Sequence, residues 1–72
     1  MKYVLYVGEN CHQCKEVSDF LEKHNISFRK VNVDLEEEQP PISLFAFPAL
    51  FEGGELLKYG TDIIEFVQQK IL

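Results

Sequence analysis

Tyr3-Val4-Leu5-Tyr6-Val7-Gly8-Glu9-Asn10-Cys11-His12-Gln13-Cys14 runs an apolar segment straight into a Cys-x-x-Cys pair. Residues 3–7 are continuously apolar, rich in β-branched and aromatic side chains, and halt at Gly8. Such a strand is covered on both faces and so belongs in the middle of a sheet. Beyond Cys14, residues Val17, Phe20, Leu21 and His24 recur at the spacing of one helix face, while Glu16, Asp19, Glu22 and Lys23 point elsewhere. Asp19 and Lys23 are spaced for an i,i+4 ion pair, and Asn25 offers a stop. The two cysteines therefore fall at the junction of a buried strand and an amphipathic helix.

Working outward, Ile26 to Val33 reads as a second strand, with Arg29, Val31 and Val33 on one face and Ile26 and Phe28 on the other. Its mixed polarity suits a sheet edge. Strand, helix and strand within about thirty residues form a βαβ unit, which joins two parallel strands by a right-handed crossover. Glu36-Glu37-Glu38-Gln39-Pro40-Pro41 is a solvated run, and Ile42, Leu44 and Phe45 after it predict one or two turns of a short second helix. Ala49 to Phe51 and Leu56 to Lys58 flank Gly53-Gly54, whose freedom at positive φ suits a tight antiparallel hairpin. Thr61 and Asp62 open a last helix, with Glu65 three residues beyond Asp62 as in a capping box, and Ile63, Phe66, Val67 and Ile71 as its apolar face. The predicted order is β-α-β-(short α)-β-β-α, one α/β domain over residues 1–72.

Composition narrows the function. At 72 residues there is room for one domain, and a domain of that size buries only roughly 60% of its unfolded surface. The 46% hydrophobic content meets the resulting need for a dense core. Twelve acidic residues stand against seven Lys plus Arg, a net charge of −5 with no basic cluster, which argues against nucleic acid as a partner. The opening apolar run is far shorter than a membrane span or a signal-peptide core. The expectation is an unexported cytoplasmic protein with no membrane partner. Two cysteines so close together are not the multi-bridge framework of small secreted domains. A disulfide closing so short a loop would also constrain the unfolded chain little. Redox chemistry or metal binding is the better use of the pair.

A cysteine placed at the start of a helix meets unpaired N–H groups and the positive end of the helix dipole. Cys11 is therefore the candidate thiolate, with Lys15 close by and His12 beside it as candidate tuning groups. Such surroundings lower a thiol pKa from about 8.5 to between roughly 3.5 and 7.5. A pKa near 7 raises the thiolate fraction at neutral pH from about 3% to about 50%, but lower nucleophilicity cuts the net gain to about threefold. The larger gain is polarity: a stabilised thiolate is the better leaving group, so it decides which sulfur of a mixed disulfide is expelled. Cys14, one turn on and facing inward, is the candidate resolving thiol. Each neighbour has a plainer reading: His12 as a solvated spacer, Gln13 and Lys15 as helix-surface residues, His24 as a partly buried packing residue or dipole partner.

Cys11-His12-Gln13-Cys14 after a strand, followed by Asn32-Val33-Asp34, Phe47-Pro48-Ala49, Gly53-Gly54 and Gly60-Thr61-Asp62, resembles glutaredoxin across nearly the whole chain. The resemblance implies a thioredoxin-like (glutaredoxin-type) fold with a four-stranded mixed sheet. It implies a cis proline at Pro48, with Phe47 before it pairing through its backbone with a bound peptide or glutathione. It implies that Thr61 and Asp62 hold the γ-glutamyl end of glutathione, which would be a co-substrate rather than a bound cofactor. The implied activity is reduction of protein or mixed disulfides by a monomer. Departures are local: Gly8 stands where the family usually has Lys or Arg, and Cys-His-Gln-Cys replaces the usual Cys-Pro-Tyr-Cys. The Gln before the second Cys is similar to the glutaredoxin-like hydrogen donors of ribonucleotide reductase, which are recharged by a thioredoxin-reductase-type flavoprotein. A third departure is the shortness of the region between Asp34 and Pro48, which would reduce the second helix to a remnant.

Two other readings compete. Ferredoxin-like carriers of Cu(I) also place a Cys-x-x-Cys after a first strand. They usually have a Met two residues before the first Cys, where this chain has Glu9, and no use for Phe47-Pro48 and a Gly-Gly hairpin. A structural zinc site would need two more ligands than the pair supplies, and His12 and His24 are poorly spaced for one. The last reading is a thioredoxin-like binding module with an inert pair, against which the two intact cysteines speak.

Overall fold

The computed structural model describes residues 3–72. Four strands, β1 (Tyr3–Val7), β2 (Arg29–Asn32), β3 (Ala49–Glu52) and β4 (Glu55–Tyr59), form one mixed sheet in the spatial order β2-β1-β3-β4. Helix α1 (His12–Lys23) joins the parallel pair β1 and β2, and α2 (Asp62–Lys70) follows β4. β1 pairs antiparallel with β3, and β3 with β4. The apolar run thus occupies an inner strand, as its pattern requires.

Alternation along β1 divides the core. Tyr3, Leu5 and Val7 pack with Val17 and Leu21 of α1 and Ile63 and Val67 of α2. Tyr6 points the other way, toward Val31, Ala49 and Phe51, with its ring edge-on to Phe51 at 5.1 Å. Leu5, Val17, Leu21 and Ile63 are fully buried. Truncating a leucine in such a site costs about 2–5 kcal/mol, a large share of the about 5–15 kcal/mol that holds a small domain together.

Helix α1 ends in a Schellman arrangement. Asn25 takes φ 58°, its N–H donates to the Glu22 carbonyl at 3.1 Å, and the Ile26 N–H donates to the Leu21 carbonyl at 3.0 Å. Asn tolerates this left-handed conformation better than most residues. At the hairpin, Gly53 and Gly54 both have positive φ between the paired Glu52 and Glu55, as a two-residue turn matching strand twist demands.

Four sequence expectations need correction. The short second helix is absent: residues 36–47 are irregular. Pro41 steers Pro40 away from helical geometry, the three glutamates repel, and only Leu44 and Phe47 of the segment pack against the β1–β3 face opposite the helices. The segment is fixed instead by the Asn32 N–H donating to Glu36 at 2.9 Å and by Arg29 gripping both Glu38 oxygens at 2.6 and 2.7 Å. That grip holds the Glu38 carboxyl below its usual pKa. Strand β2 is shorter than Ile26 to Val33, because Ile26 and Phe28 pack onto the helix side of the core before pairing begins. Asp19 pairs backwards with Lys15, at 3.0 Å, rather than forwards with Lys23. The capping box does not form: Thr61 caps α2 with helical φ and ψ and no side-chain hydrogen bond.

Candidate functional site

Cys11 is the N-cap of α1, in extended backbone conformation, and its Sγ accepts the Cys14 N–H at 3.1 Å. The sulfur does what a serine or aspartate oxygen does at other helix starts, satisfying one of the orphan donors. An atom so placed gains most from that donor and from the helix dipole when it carries negative charge. Asn10, at φ 54°, turns the chain from β1 into this position. Cys11 and Cys14 form a disulfide with 5.2 Å between their Cα atoms. Cys14 is 4% exposed on the inner face of α1, while Cys11 is only partly covered.

The loop before Cys11 is held by a small polar cluster. The Asp34 carboxylate accepts the Glu9 N–H at 2.8 Å, the Asn32 amide donates to Glu9 at 2.8 Å, and the Asn32 side-chain oxygen accepts the Asp34 N–H at 3.0 Å. Asn32 and Asp34 therefore position the first cysteine from the end of the neighbouring strand. The sequence carried a signal for the turn between Asn32 and Asp34, since Asn-x-Asp is an Asx-turn spacing, and none for their bonds to Glu9.

Across from Cys11, the Phe47 carbonyl oxygen stands 3.9 Å from Sγ. The Phe47-Pro48 peptide is cis and Pro48 is buried. The Pro48 carbonyl accepts the Gly60 N–H at 2.7 Å, which ties the start of α2 to the proline. Gly60 has φ 58°, and a methyl group on it would come 3.0 Å from the Gln13 side-chain oxygen. Gln13 thus lies against the loop that carries Thr61 and Asp62, a contact that sequence reasoning missed because nothing along the chain links residues 13 and 60. Thr61 and Asp62 are exposed.

The candidate tuning groups His12 and Lys15 are both on the first turn of α1 and exposed. The Lys15 ammonium is engaged by Asp19. Lys15 also lines a cleft of about 340 Å³ beside the cysteines, together with Ser18, Lys30 and Asn32. His24 is exposed rather than partly buried, with its ring 4.5 Å from that of Phe20. Among the described residues, no group of three or more His, Cys, Asp or Glu side chains could hold a metal ion. Among them too, no helix is long and apolar enough to cross a membrane. The element order is also not that of a ferredoxin-like carrier.

Comparison with known proteins gives a consistent set of likenesses. The glutaredoxin family model matches residues 3–57. The glutaredoxin-like protein NrdH of Lactococcus lactis subsp. cremoris is 44% identical over 36 residues, a segment covering 50% of this chain and 46% of that protein. The chain thus spans about half the length of the curated relative it matches. The holo form of glutaredoxin C1 from Populus tremula x tremuloides superimposes with a TM-score of 0.74 at 18% identity, over 94% of this chain and 75% of the other. Glutaredoxin 1 from Francisella tularensis, complexed with cacodylate, gives 0.66 at 21% identity, over 97% and 94%. At such identities the two structures speak to the fold, which is the thioredoxin-like glutaredoxin type.

Proposed function

This chain belongs to the glutaredoxin family, and within it we propose a thiol-disulfide oxidoreductase that reduces protein or mixed disulfides through Cys11 and Cys14. The observation that carries the reading is the Cys11 sulfur at the N-cap of α1, accepting a backbone N–H with one side open to solvent. In the reduced protein, the Cys11 thiolate attacks one sulfur of a substrate disulfide. A Cys11–substrate disulfide forms, and the other substrate sulfur leaves as a thiolate that takes a proton from water. Cys14 then gives up its proton and attacks Cys11 Sγ, closing the intramolecular disulfide and releasing the second substrate thiolate. Two electrons and two protons pass to the substrate.

Recharging the disulfide needs a reductant, either two glutathione molecules or the dithiol of a thioredoxin-reductase-type flavoprotein. We assign the flavoprotein the larger share. Gly8 supplies no cation for a glutathione carboxylate, and Glu9 and Asp34 put negative charge beside the dithiol. An exposed contact of that kind is worth only about 0.2–1 kcal/mol, so glutathione is weakened as a donor and not forbidden. Asp62 and Thr61, with no capping bond to make, remain available to the amino and carboxylate groups of its γ-glutamyl end. The work suits a reducing compartment such as the cytoplasm, with no bound cofactor.

The test is NADPH consumption with a small disulfide substrate, with glutathione plus glutathione reductase in one arm and thioredoxin reductase in the other. Turnover is expected in both, faster with thioredoxin reductase, and Asp62→Ala should lower the glutathione arm alone. Tight stoichiometric Cu(I) binding without turnover in either arm would reject the reading.

A further inference from the structure

Closing the disulfide requires Cys14 to lose a proton, and its position makes that loss unfavourable. Cys14 is 4% exposed and shares its cluster with Val7, Val17, Leu50 and Ile63, and apolar burial raises a thiol pKa. The N–H group of Cys14 at the helix start is spent on Cys11 Sγ. Tyr3 is the other titratable member of the cluster, and its phenol, raised above the usual 10.0, stays neutral while thiols titrate.

On one side Cys14 borders polar ground. It lines the cleft of about 340 Å³, whose charged groups are Lys15 and Asp19 of α1, Lys30 of β2 and Glu36 beyond β2. Lys15 and Asp19 pair with each other at 3.0 Å, and Glu36 accepts the Asn32 N–H at 2.9 Å. Among the described residues Lys30 is in no ion pair. Its ammonium instead donates to the Ser18 hydroxyl at 3.4 Å. Ser18 is 4% exposed, also lines the cleft, and sits one turn after Cys14 on the buried face of α1. A helical side chain leans back over the preceding turn, so this hydroxyl is directed toward Cys14. Its oxygen is the acceptor of the Lys30 bond, which leaves its own proton to donate.

We propose that Ser18 and Lys30 prepare Cys14 as the resolving nucleophile. The Ser18 hydroxyl donates to the Cys14 thiolate, and the Lys30 ammonium on the same oxygen polarises that bond and supplies the compensating positive charge. The inference rests on the oxidoreductase reading. The Cys14 S–H bond breaks and its proton passes to water in the cleft. The electron pair left on Cys14 Sγ then forms the bond to Cys11 Sγ while the bond from Cys11 to the substrate breaks, and the negative charge departs with the substrate sulfur. Lys30 touches no reacting atom, so it is a positioning residue that acts through Ser18.

Rapid mixing of the pre-reduced full chain with excess 2,2′-dithiodipyridine, a neutral disulfide, tests the proposal because each step releases one pyridinethione. The first phase scales with probe concentration and reports Cys11; the second is independent of it and reports Cys14. Followed from about pH 5 to about pH 10, the second phase should rise with a midpoint that Lys30→Gln and Ser18→Ala each move up by about one unit. Lys30→Arg should keep the wild-type midpoint. Because a less acidic thiol is the stronger nucleophile, the second phase of Lys30→Gln should be about threefold slower below the midpoint and about threefold faster on the high-pH plateau. The first phase should be unchanged in all three variants. An unmoved midpoint in Lys30→Gln or in Ser18→Ala overturns the inference, as does an equal shift in Lys30→Arg. Slowing of both phases by one factor at every pH would assign the pair to holding the fold and overturn it too. Each of these outcomes leaves the oxidoreductase reading intact. A wild-type second phase that scales with the probe, or is absent, rejects that reading and the inference with it.

Discussion

Cys11 and Cys14 are separated by a single helical turn, yet the chain treats their sulfurs differently. Cys11 Sγ accepts a backbone N–H at the helix start, whereas Cys14 is buried on the inner face. The first is the more accessible sulfur, and as a stabilised thiolate it is the better leaving group when an outside thiol attacks the substrate sulfur of a mixed disulfide; when Cys14 attacks Cys11 Sγ, the substrate sulfur leaves. Cys14→Ser should therefore retain exchange with a glutathionylated peptide and accumulate a mixed disulfide on Cys11, visible by intact mass. Cys11→Ser should abolish both; equal loss from the two substitutions would refute the division of roles. The different placement of the two sulfurs was legible in the sequence, because a Cys-x-x-Cys at the end of an apolar strand places its first member at the helix start. The bonds from Asn32 and Asp34 to Glu9 were not, since they depend on which strand becomes the neighbour of β1 and in what register.

At the level of elements, the strongest local signals were those with a full period to read. β1 and α1 follow their apolar patterns, and Asn25 ends the helix by entering the left-handed region. That conformation costs an ordinary L-residue about 1–2 kcal/mol. Asn25→Gly should raise the urea midpoint and Asn25→Ala lower it, by about 1 kcal/mol in the second case; no difference between the two would mean the left-handed turn does not form. The weaker signals misled where competing contacts won. Glu65 lies at capping distance from Asp62 in sequence, but Thr61 enters α2 already in helical conformation, so no box closes. Ile42, Leu44 and Phe45 have helix-like spacing, yet the run is too short to outweigh Pro40-Pro41 before it. Tertiary packing uses Leu44 and leaves the other two outside.

Taken whole, the molecule has a sheet covered by two helices on one side and by an irregular segment on the other. Both faces bury a tyrosine from β1. Burial disfavours the phenolates of Tyr3 and Tyr6, and the nearby Glu52 and Glu38 respectively add repulsion, partly offset at Tyr6 by Arg29, so both pKa values lie above the usual 10.0. The unfolded chain releases these protons near pH 10 while the folded chain keeps them. The stability they contribute is complete below about pH 10 and is lost as pH climbs through the raised values. Urea midpoints should fall as pH rises above about 10, and less steeply in Tyr6→Phe; an unchanged slope would exclude Tyr6 as a source. The uneven cover of the sheet has another consequence. Most side chains of residues 36–46 lie outside the core, so substitutions there cost the fold little while altering what lies beside Cys11. A lineage can thus change the partners of such a protein by small heritable steps, without passing through intermediates that fail to fold.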